Sequence, residues 1–101
     1  MDRLISDNIE KIRQLCKENS IKELYVFGSA ASGNMDKNSD IDFLISFQNI
    51  PVLEYYDNYF ALAYGLEAFL KRKIDLLTVN SLSNPYLIQS IEKNKILLYA
   101  A

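Results

Sequence analysis

Residues 23–47 read ELYVFGSAASGNMDKNSDIDFLISF, and this stretch predicts two strands on either side of a loop of small and polar residues. The first strand, Glu23–Phe27, is rich in aromatic and branched side chains, which favour β structure. Gly28-Ser29 ends that strand, and residues 29–39 predict a short helical turn followed by a loop. The second strand is predicted over Ile41–Phe47, so a β-strand both precedes and follows the loop.

Helices and further strands are predicted on both sides of this stretch. Apolar residues at helical spacing predict a helix over residues 3–18 and a longer helix from Pro51 to Lys73. A third strand follows over Ile74–Val79, then a helix from Asn84 to about Lys93 and a last strand over Lys95–Tyr99. The order αβ(α)βαβαβ predicts an α/β sandwich, an α+β architecture in which helices pack on one small mixed sheet of about four strands.

Length and composition are typical of one globular domain. The chain has 101 residues, 50% hydrophobic and 24% charged, so we expect a packed core and a single domain over residues 1–101. The net charge is −2, whereas proteins that grip nucleic acids usually carry a basic surface. We therefore expect no direct binding of nucleic acid, although Lys71-Arg72-Lys73 forms a local basic cluster.

The chain has a single cysteine and no histidine, which limits the kinds of catalytic and metal site it can form. Cys16 is the single cysteine, so no internal disulfide can form, and no apolar run approaches the ~20 residues that span a bilayer. We expect a cytoplasmic protein without membrane contact. The chain contains no histidine, which excludes Ser-His-Asp triads, histidine general bases and histidine metal sites within it. Catalysis would have to use carboxylates, lysines, hydroxyls or metal ions bound through oxygen.

Asp40 and Asp42 are the first candidates for such a metal site. Residues i and i+2 of a strand point to the same face and lie about 6.5–7 Å apart along it. Two carboxylates ~6 Å apart at an effective dielectric of 20 repel each other by roughly 3 kcal/mol. A divalent cation between them would turn this repulsion into attraction, and oxygen ligands suit Mg²⁺.

Gly28-Ser29 and Asp75 add to this pair. A glycine lets the backbone approach a phosphate closely, and the free N–H groups at a helix start, with the Ser29 hydroxyl, can donate to it. Asp75 is an acid in the otherwise apolar third strand, where an unpaired charge is costly. If that strand lies beside the second strand, Asp75 can ligate a metal, accept a proton, or do both. Two metal ions that clamp the attacking and leaving oxygens are a known arrangement for phosphoryl transfer.

Each feature also has an ordinary structural explanation. Gly-Ser is a common turn, Asp-x-Asp often marks a loop edge or a cap, and Asp75 can be a solvated edge residue. The joint pattern is much rarer: Gly-Ser, ten residues and Asp-x-Asp should occur by chance in about one in a thousand chains of this size. The combination therefore favours a functional site.

Gly28-Ser29 followed after ten residues by Asp40-Ile41-Asp42 resembles the signature of the DNA polymerase β-like nucleotidyltransferase superfamily. Three further stretches resemble its small members, and together they cover nearly the whole chain: SDIDFLISF, LEAFLKRKIDLLT and NPYLIQSIEKNKILLY. The sequence is most similar to the minimal nucleotidyltransferase (MNT) group, which often serves as antitoxin beside an HEPN-type RNase toxin.

The resemblance implies a role for each site residue. Gly28 and Ser29 would hold the triphosphate, and Asp40, Asp42 and Asp75 would ligate Mg²⁺, as two ions. Asp75 would also be the base for the acceptor hydroxyl. The implied reaction transfers AMP from ATP to a tyrosine of the HEPN-type toxin, so that the protein acts as an antitoxin.

The loop after Gly28-Ser29 departs from the family pattern. Many relatives carry arginines there, in a GSRARG-like run, whereas this chain has Ala30-Ala31-Ser32-Gly33. The loop thus lacks a guanidinium that would steady a triphosphate. Lys37 and Lys73 are the candidates to replace it, and the choice of ATP over other triphosphates stays open.

The chain has no room for the helical domain with which larger relatives present the acceptor, so we expect a separate polypeptide to supply it. Tyr55, Tyr59 and Leu62 are predicted to lie on a second face of the long helix, away from its core stripe. That face is either a partner surface or the half-exposed side of an ordinary amphipathic helix. Two alternatives to the toxin-modifying enzyme stay open: a nucleotidyltransferase acting on a small molecule such as an aminoglycoside, and a binding antitoxin without catalysis. The sequence also leaves open the number of nucleotides transferred and any homo- or hetero-oligomer.

Overall fold

The helices and strands alternate along the chain as the sequence predicts. The computed structural model describes all residues, 1–101. The four strands are β1 (Ile21–Phe27), β2 (Ile41–Phe47), β3 (Ile74–Thr78) and β4 (Ile96–Ala100). The five α-helices are α1 (Arg3–Ser6), α2 (Ile9–Glu18), α3 (Gly28–Ser32), α4 (Val52–Leu70) and α5 (Pro85–Asn94), and a 3₁₀ turn covers Val79–Ser81.

The strands form one mixed sheet in the order β3-β2-β1-β4. β1 pairs antiparallel with both β2 and β4, whereas β2 and β3 run parallel and are connected through α4. The predicted fold class, an α+β sandwich around a four-stranded mixed sheet, is confirmed. No helix is both long enough and apolar enough to cross a membrane.

The sheet is covered on both faces. On one face, α2 and α4 contribute to the main core, in which Ile12, Leu66 and Phe43 are fully buried. On the other face, Ile91 of α5 packs against a smaller cluster. Side chains of a strand alternate between faces, so Ile41, Phe43 and Ile45 enter the main core while Asp42 and Leu44 face the side of α5.

The predicted helix over residues 3–18 is two helices, which meet at Asp7 and Asn8. The side-chain amide of Asn8 donates to the carbonyl oxygen of Leu4 at 2.8 Å. Asparagine commonly competes with the backbone for such bonds and so interrupts helices. The long helix is also shorter than predicted: it ends at Leu70, because Lys71 adopts the left-handed conformation with φ 55°.

The outer face of α4 differs from the prediction. Leu62 is fully buried in the main core, and Tyr59 is half-buried with its hydroxyl donating to the carbonyl oxygen of Leu76 at 2.6 Å. Leu53 and Tyr56 lie on the apolar stripe whose helical spacing predicts α4 and would be expected to face the core, but they are exposed by 92% and 66%. The prediction that Tyr55, Tyr59 and Leu62 lie on a face away from the core was therefore wrong, and with Leu62 buried these three residues do not form one partner surface. Both sides of α4 carry large apolar residues, so hydrophobic periodicity alone did not identify the inner side.

Candidate active site

The predicted site residues meet at one end of the sheet because of the strand register. Phe27, the last residue of β1, pairs with Asp42 of β2, and Asp42 pairs with Asp75 of the parallel strand β3. Gly28 follows Phe27 directly, and Asp40 lies two residues before Asp42. Three neighbouring strands thus bring the Gly-Ser turn and the three acids together.

Two features favour glycine at position 28: its backbone conformation and its closeness to Asp42. Its backbone has a φ of 69°, in the left-handed region that side chains other than glycine rarely adopt. A Cβ atom at this position would collide with the Asp42 carboxylate. The glycine therefore lets the chain turn into α3 directly against the acid of the neighbouring strand. In this chain the Gly-Ser turn and the Asp-x-Asp pair are therefore in direct contact.

The short helix α3 supports the turn. Ala30 and Ala31 are buried, and Ala30 belongs to the main core, so these two positions of the loop anchor it. Gly33 ends the helix with a φ of 82°, and its N–H donates to the carbonyl oxygen of Ser29 at 3.0 Å. Ser29 is half-exposed on this anchored turn. Its predicted role in holding a triphosphate stays a prediction.

Asp42 is the acid whose protonation the site perturbs most. Burial raises the pKa of Asp42 from its ordinary 3.8 to about 6, and the negative charges of Asp75 and Asp40 add to the rise. Asp42 is half-buried, whereas Asp40 and Asp75 are exposed. A folded chain gains no stability from the repulsion that Asp75 and Asp40 exert on Asp42, and such electrostatic cost is typical of functional sites.

The donor atoms fit Mg²⁺, although the protein alone does not complete a metal site. No three His, Cys, Asp or Glu side chains converge closely enough to hold an ion by themselves. Mg²⁺ in nucleotide enzymes is commonly bound by one or two carboxylates together with substrate phosphates and water. The oxygen atoms of Asp42 and its acidic neighbours suit that arrangement, because a cation would relieve their repulsion.

The acids lie at an open end of the sheet. The clefts of the protein surface lie elsewhere, and none of them is lined by Gly28, Ser29, Asp40, Asp42 or Asp75. One of these clefts, about 520 Å³, is lined by residues of α4 and β3, among them Tyr59 and Leu76. The acids are therefore reached directly from solvent and not through a cleft.

Tyr59 is a neighbour of the site that the sequence reasoning placed elsewhere. Burial raises the pKa of the Tyr59 hydroxyl, and the charge of Asp75 raises it further. The hydroxyl is held by the carbonyl of Leu76, the residue after Asp75 in β3. The helix α4 therefore fixes the strand that carries the third acid. A tyrosine on an apolar helix face gives no sequence signal of such a role.

Comparison with known proteins identifies the family. The nucleotidyltransferase domain family matches residues 9–98 of the chain. The chain is a member of that family. A candidate protein adenylyltransferase of Methanocaldococcus jannaschii is 35% identical to this nucleotidyltransferase over 95 residues, which cover 91% of this chain and 92% of the relative.

Solved structures place the nucleotidyltransferase within the minimal group. The structure of a candidate minimal nucleotidyltransferase superposes with a TM-score of 0.77 at 27% identity, and the match covers 95% of each chain. A chain of a toxin–antitoxin crystallised with AMP-PNP superposes with a TM-score of 0.71, also at 27% identity, over 93% of this chain and 74% of that one. The predicted family and enzyme class are thereby confirmed.

Proposed function

We propose that this nucleotidyltransferase transfers AMP from ATP to a tyrosine hydroxyl of a partner HEPN-type toxin and so acts as an antitoxin. The observation that carries the proposal is the pairing of β2 with β3, which places Asp42 beside Asp75. Gly28 lies directly next to the Asp42 carboxylate. This arrangement joins a site for a phosphate chain to a cluster of acids at one open end of the sheet.

The chemistry assigned to the site is one in-line displacement. The acceptor oxygen forms a bond to the α-phosphorus of ATP, the bond from that phosphorus to the bridging oxygen breaks, and pyrophosphate leaves. Asp75 is exposed at the site and takes the hydroxyl proton in this scheme. Asp40 and Asp42 would hold Mg²⁺, which, when bound, supplies positive charge to the phosphate oxygens.

Two observations favour a protein as acceptor over a small molecule. Asp40 and Asp75 are exposed at the end of the sheet, where a bound nucleotide and the surface of a partner protein can both reach them. A protein can bring its own surface to cover an open site. The M. jannaschii relative is named as a candidate protein adenylyltransferase, and the nucleotide-bound neighbour is a toxin–antitoxin, which supports the same choice.

Growth rescue in cells tests the proposal and separates it from a binding antitoxin. Co-expression with the HEPN-type toxin that we propose as its partner should restore growth, and the double variant Asp40→Asn/Asp42→Asn should abolish the rescue. Asp57→Asn, which removes an exposed acid on α4, is the matched control and should rescue fully. Full rescue by the double variant would show that neutralisation needs no transfer and would refute the proposal.

A further inference from the structure

The loop that precedes Asp40 is closed by its own hydrogen bonds. Asp36 accepts, through one carboxylate oxygen, bonds from the N–H of Asn38 at 2.8 Å and the hydroxyl of Ser39 at 3.2 Å. The N–H of Asp36 donates back to the Ser39 hydroxyl at 3.0 Å. These bonds lower the pKa of the Asp36 carboxyl, the Asn38 N–H having the largest effect. They shape the turn but do not tie it to the sheet.

Arg72 ties this turn to the neighbouring strand. One nitrogen of its guanidinium donates to the carbonyl oxygen of Asp36 at 2.6 Å and also to the carbonyl oxygen of Ser39. The second carbonyl belongs to the peptide group that joins Ser39 to Asp40. Beside it, the N–H of Ile41 donates to the carbonyl of Lys73 at 3.0 Å. Arg72 thus fixes the Ser39–Asp40 peptide group, whose orientation determines the direction of the Asp40 side chain.

Arg72 donates its hydrogen bonds to the backbone, and its charge makes only the last and smallest contribution to lowering the pKa of Asp36. The ion pairs of the structure are Arg13 with Glu10 and Lys95 with Glu92, and Arg72 forms none. Hydrogen bonds from a charged donor are stronger than neutral ones, and a guanidinium presents its donors in a rigid plane. Lys71 and Lys73 on either side are exposed, whereas Arg72 is half-buried against the loop.

We propose that Arg72 is a positioning residue of the active site. Arg72 lies just before β3 and three residues before Asp75. It donates a hydrogen bond to the peptide group directly before Asp40 and so connects the starts of β2 and β3, the strands that carry Asp42 and Asp75. Its role is to keep Asp40 and Asp42 facing Asp75. The inference rests on the proposed function, because it assumes that these acids share one metal and nucleotide site.

The test compares Arg72→Met with Arg13→Met. Arg13 also donates to a backbone carbonyl, that of Leu98 at 3.0 Å, but on β4, at the other edge of the sheet. Two quantities are measured: hydrogen exchange of the backbone amides of residues 38–41, and the dissociation constant of Mn²⁺, followed by the electron paramagnetic resonance signal of the free ion. Neither depends on transfer activity.

We expect faster exchange at Asn38, Ser39 and Ile41 in Arg72→Met, together with a Mn²⁺ dissociation constant about ten to a hundred times larger than in the wild-type protein. Arg13→Met should leave both quantities unchanged. Arg72→Lys keeps the charge on a shorter side chain, and its values should lie between those of the wild-type protein and Arg72→Met. Because Arg72→Lys is the milder change, intermediate values in this variant would show that the effect does not come from misfolding of Arg72→Met.

Unchanged exchange in Arg72→Met would overturn the inference. Faster exchange with an unchanged Mn²⁺ dissociation constant would also overturn it, because the loop would then move without consequence for the acids. A wild-type protein that binds no Mn²⁺ would instead count against the proposed function. In that case the exchange data alone decide whether Arg72 holds the peptide before Asp40.

Discussion

Replacing Asp42 by asparagine is expected to stabilise the folded protein at neutral and alkaline pH while removing its activity. The pKa of Asp42 rises from 3.8 to about 6 on folding, first through burial and then through the charges of Asp75 and Asp40. A folded-state pKa above the unfolded one means that the folded state binds the proton more tightly. Stability is therefore lost as pH rises from about 4 to about 6, and the whole cost is present above that range.

The size of this cost follows from the pKa difference. About two pH units correspond to about 3 kcal/mol, and because Asp42 is only half-buried, solvent screening reduces this to about 1–2 kcal/mol. Asparagine has nearly the same shape and carries no charge, so it keeps the packing against Gly28. Each kcal/mol should raise the melting temperature of a domain of this size by roughly 4–8 °C.

The assay is denaturant unfolding of the wild-type protein and Asp42→Asn, both free of metal, at about pH 8 and again at about pH 4. The variant should be more stable at the higher pH, and the difference should nearly vanish at the lower pH, where the wild-type carboxyl is protonated in the folded state. Asp57→Asn controls for the loss of an exposed acid and should change little. A variant as stable as the wild-type protein, or less stable, at about pH 8 would refute the reasoning.

Three further predictions test separate parts of the structure. Gly28→Ala should lower the free energy of unfolding by about 1–3 kcal/mol, measured by thermal unfolding, and abolish AMP transfer. Gly33 has a similar φ but open space around it, so Gly33→Ala should lower the free energy of unfolding by less. An equal loss in the two variants would show that contact with Asp42 contributes nothing. Tyr59→Phe should lose about 1 kcal/mol in denaturant unfolding, since it removes the hydroxyl bond to the β3 carbonyl. Burial raises the pKa of the Cys16 thiol to about 12, so a thiol reagent at about pH 8 should modify it only after unfolding; rapid reaction of the folded protein would contradict its burial.

The chemistry-bearing stretch could be predicted because its signals are local. Aromatic and branched residues define β1, and Gly28 is forced by a backbone conformation that side chains disfavour. Asp40 and Asp42 are charged residues at the start of an otherwise apolar strand, where they contribute nothing to the core. Such features depend on few residues, so residue type and spacing alone were enough to place them and to name the family.

Features that depend on tertiary contacts were not predictable from the sequence. Leu62 and Tyr56 both fit an apolar helix stripe, and only packing against the sheet buries Leu62 and exposes Tyr56. Asn8 interrupts the first helix through one side-chain bond that competes with the helical pattern. Arg72 appeared as part of a basic cluster, and its two carbonyl partners lie more than thirty residues away in the chain.

The most direct test of the central claim is the intact mass of the toxin after incubation with this nucleotidyltransferase, ATP and Mg²⁺. The account predicts a gain equal to one or more AMP groups, with the modified tyrosine identified by fragmentation. It also predicts no gain with Asp40→Asn/Asp42→Asn and a full gain with Asp57→Asn. An unmodified toxin that still forms a stable complex with the wild-type protein would contradict the account and indicate neutralisation by binding alone.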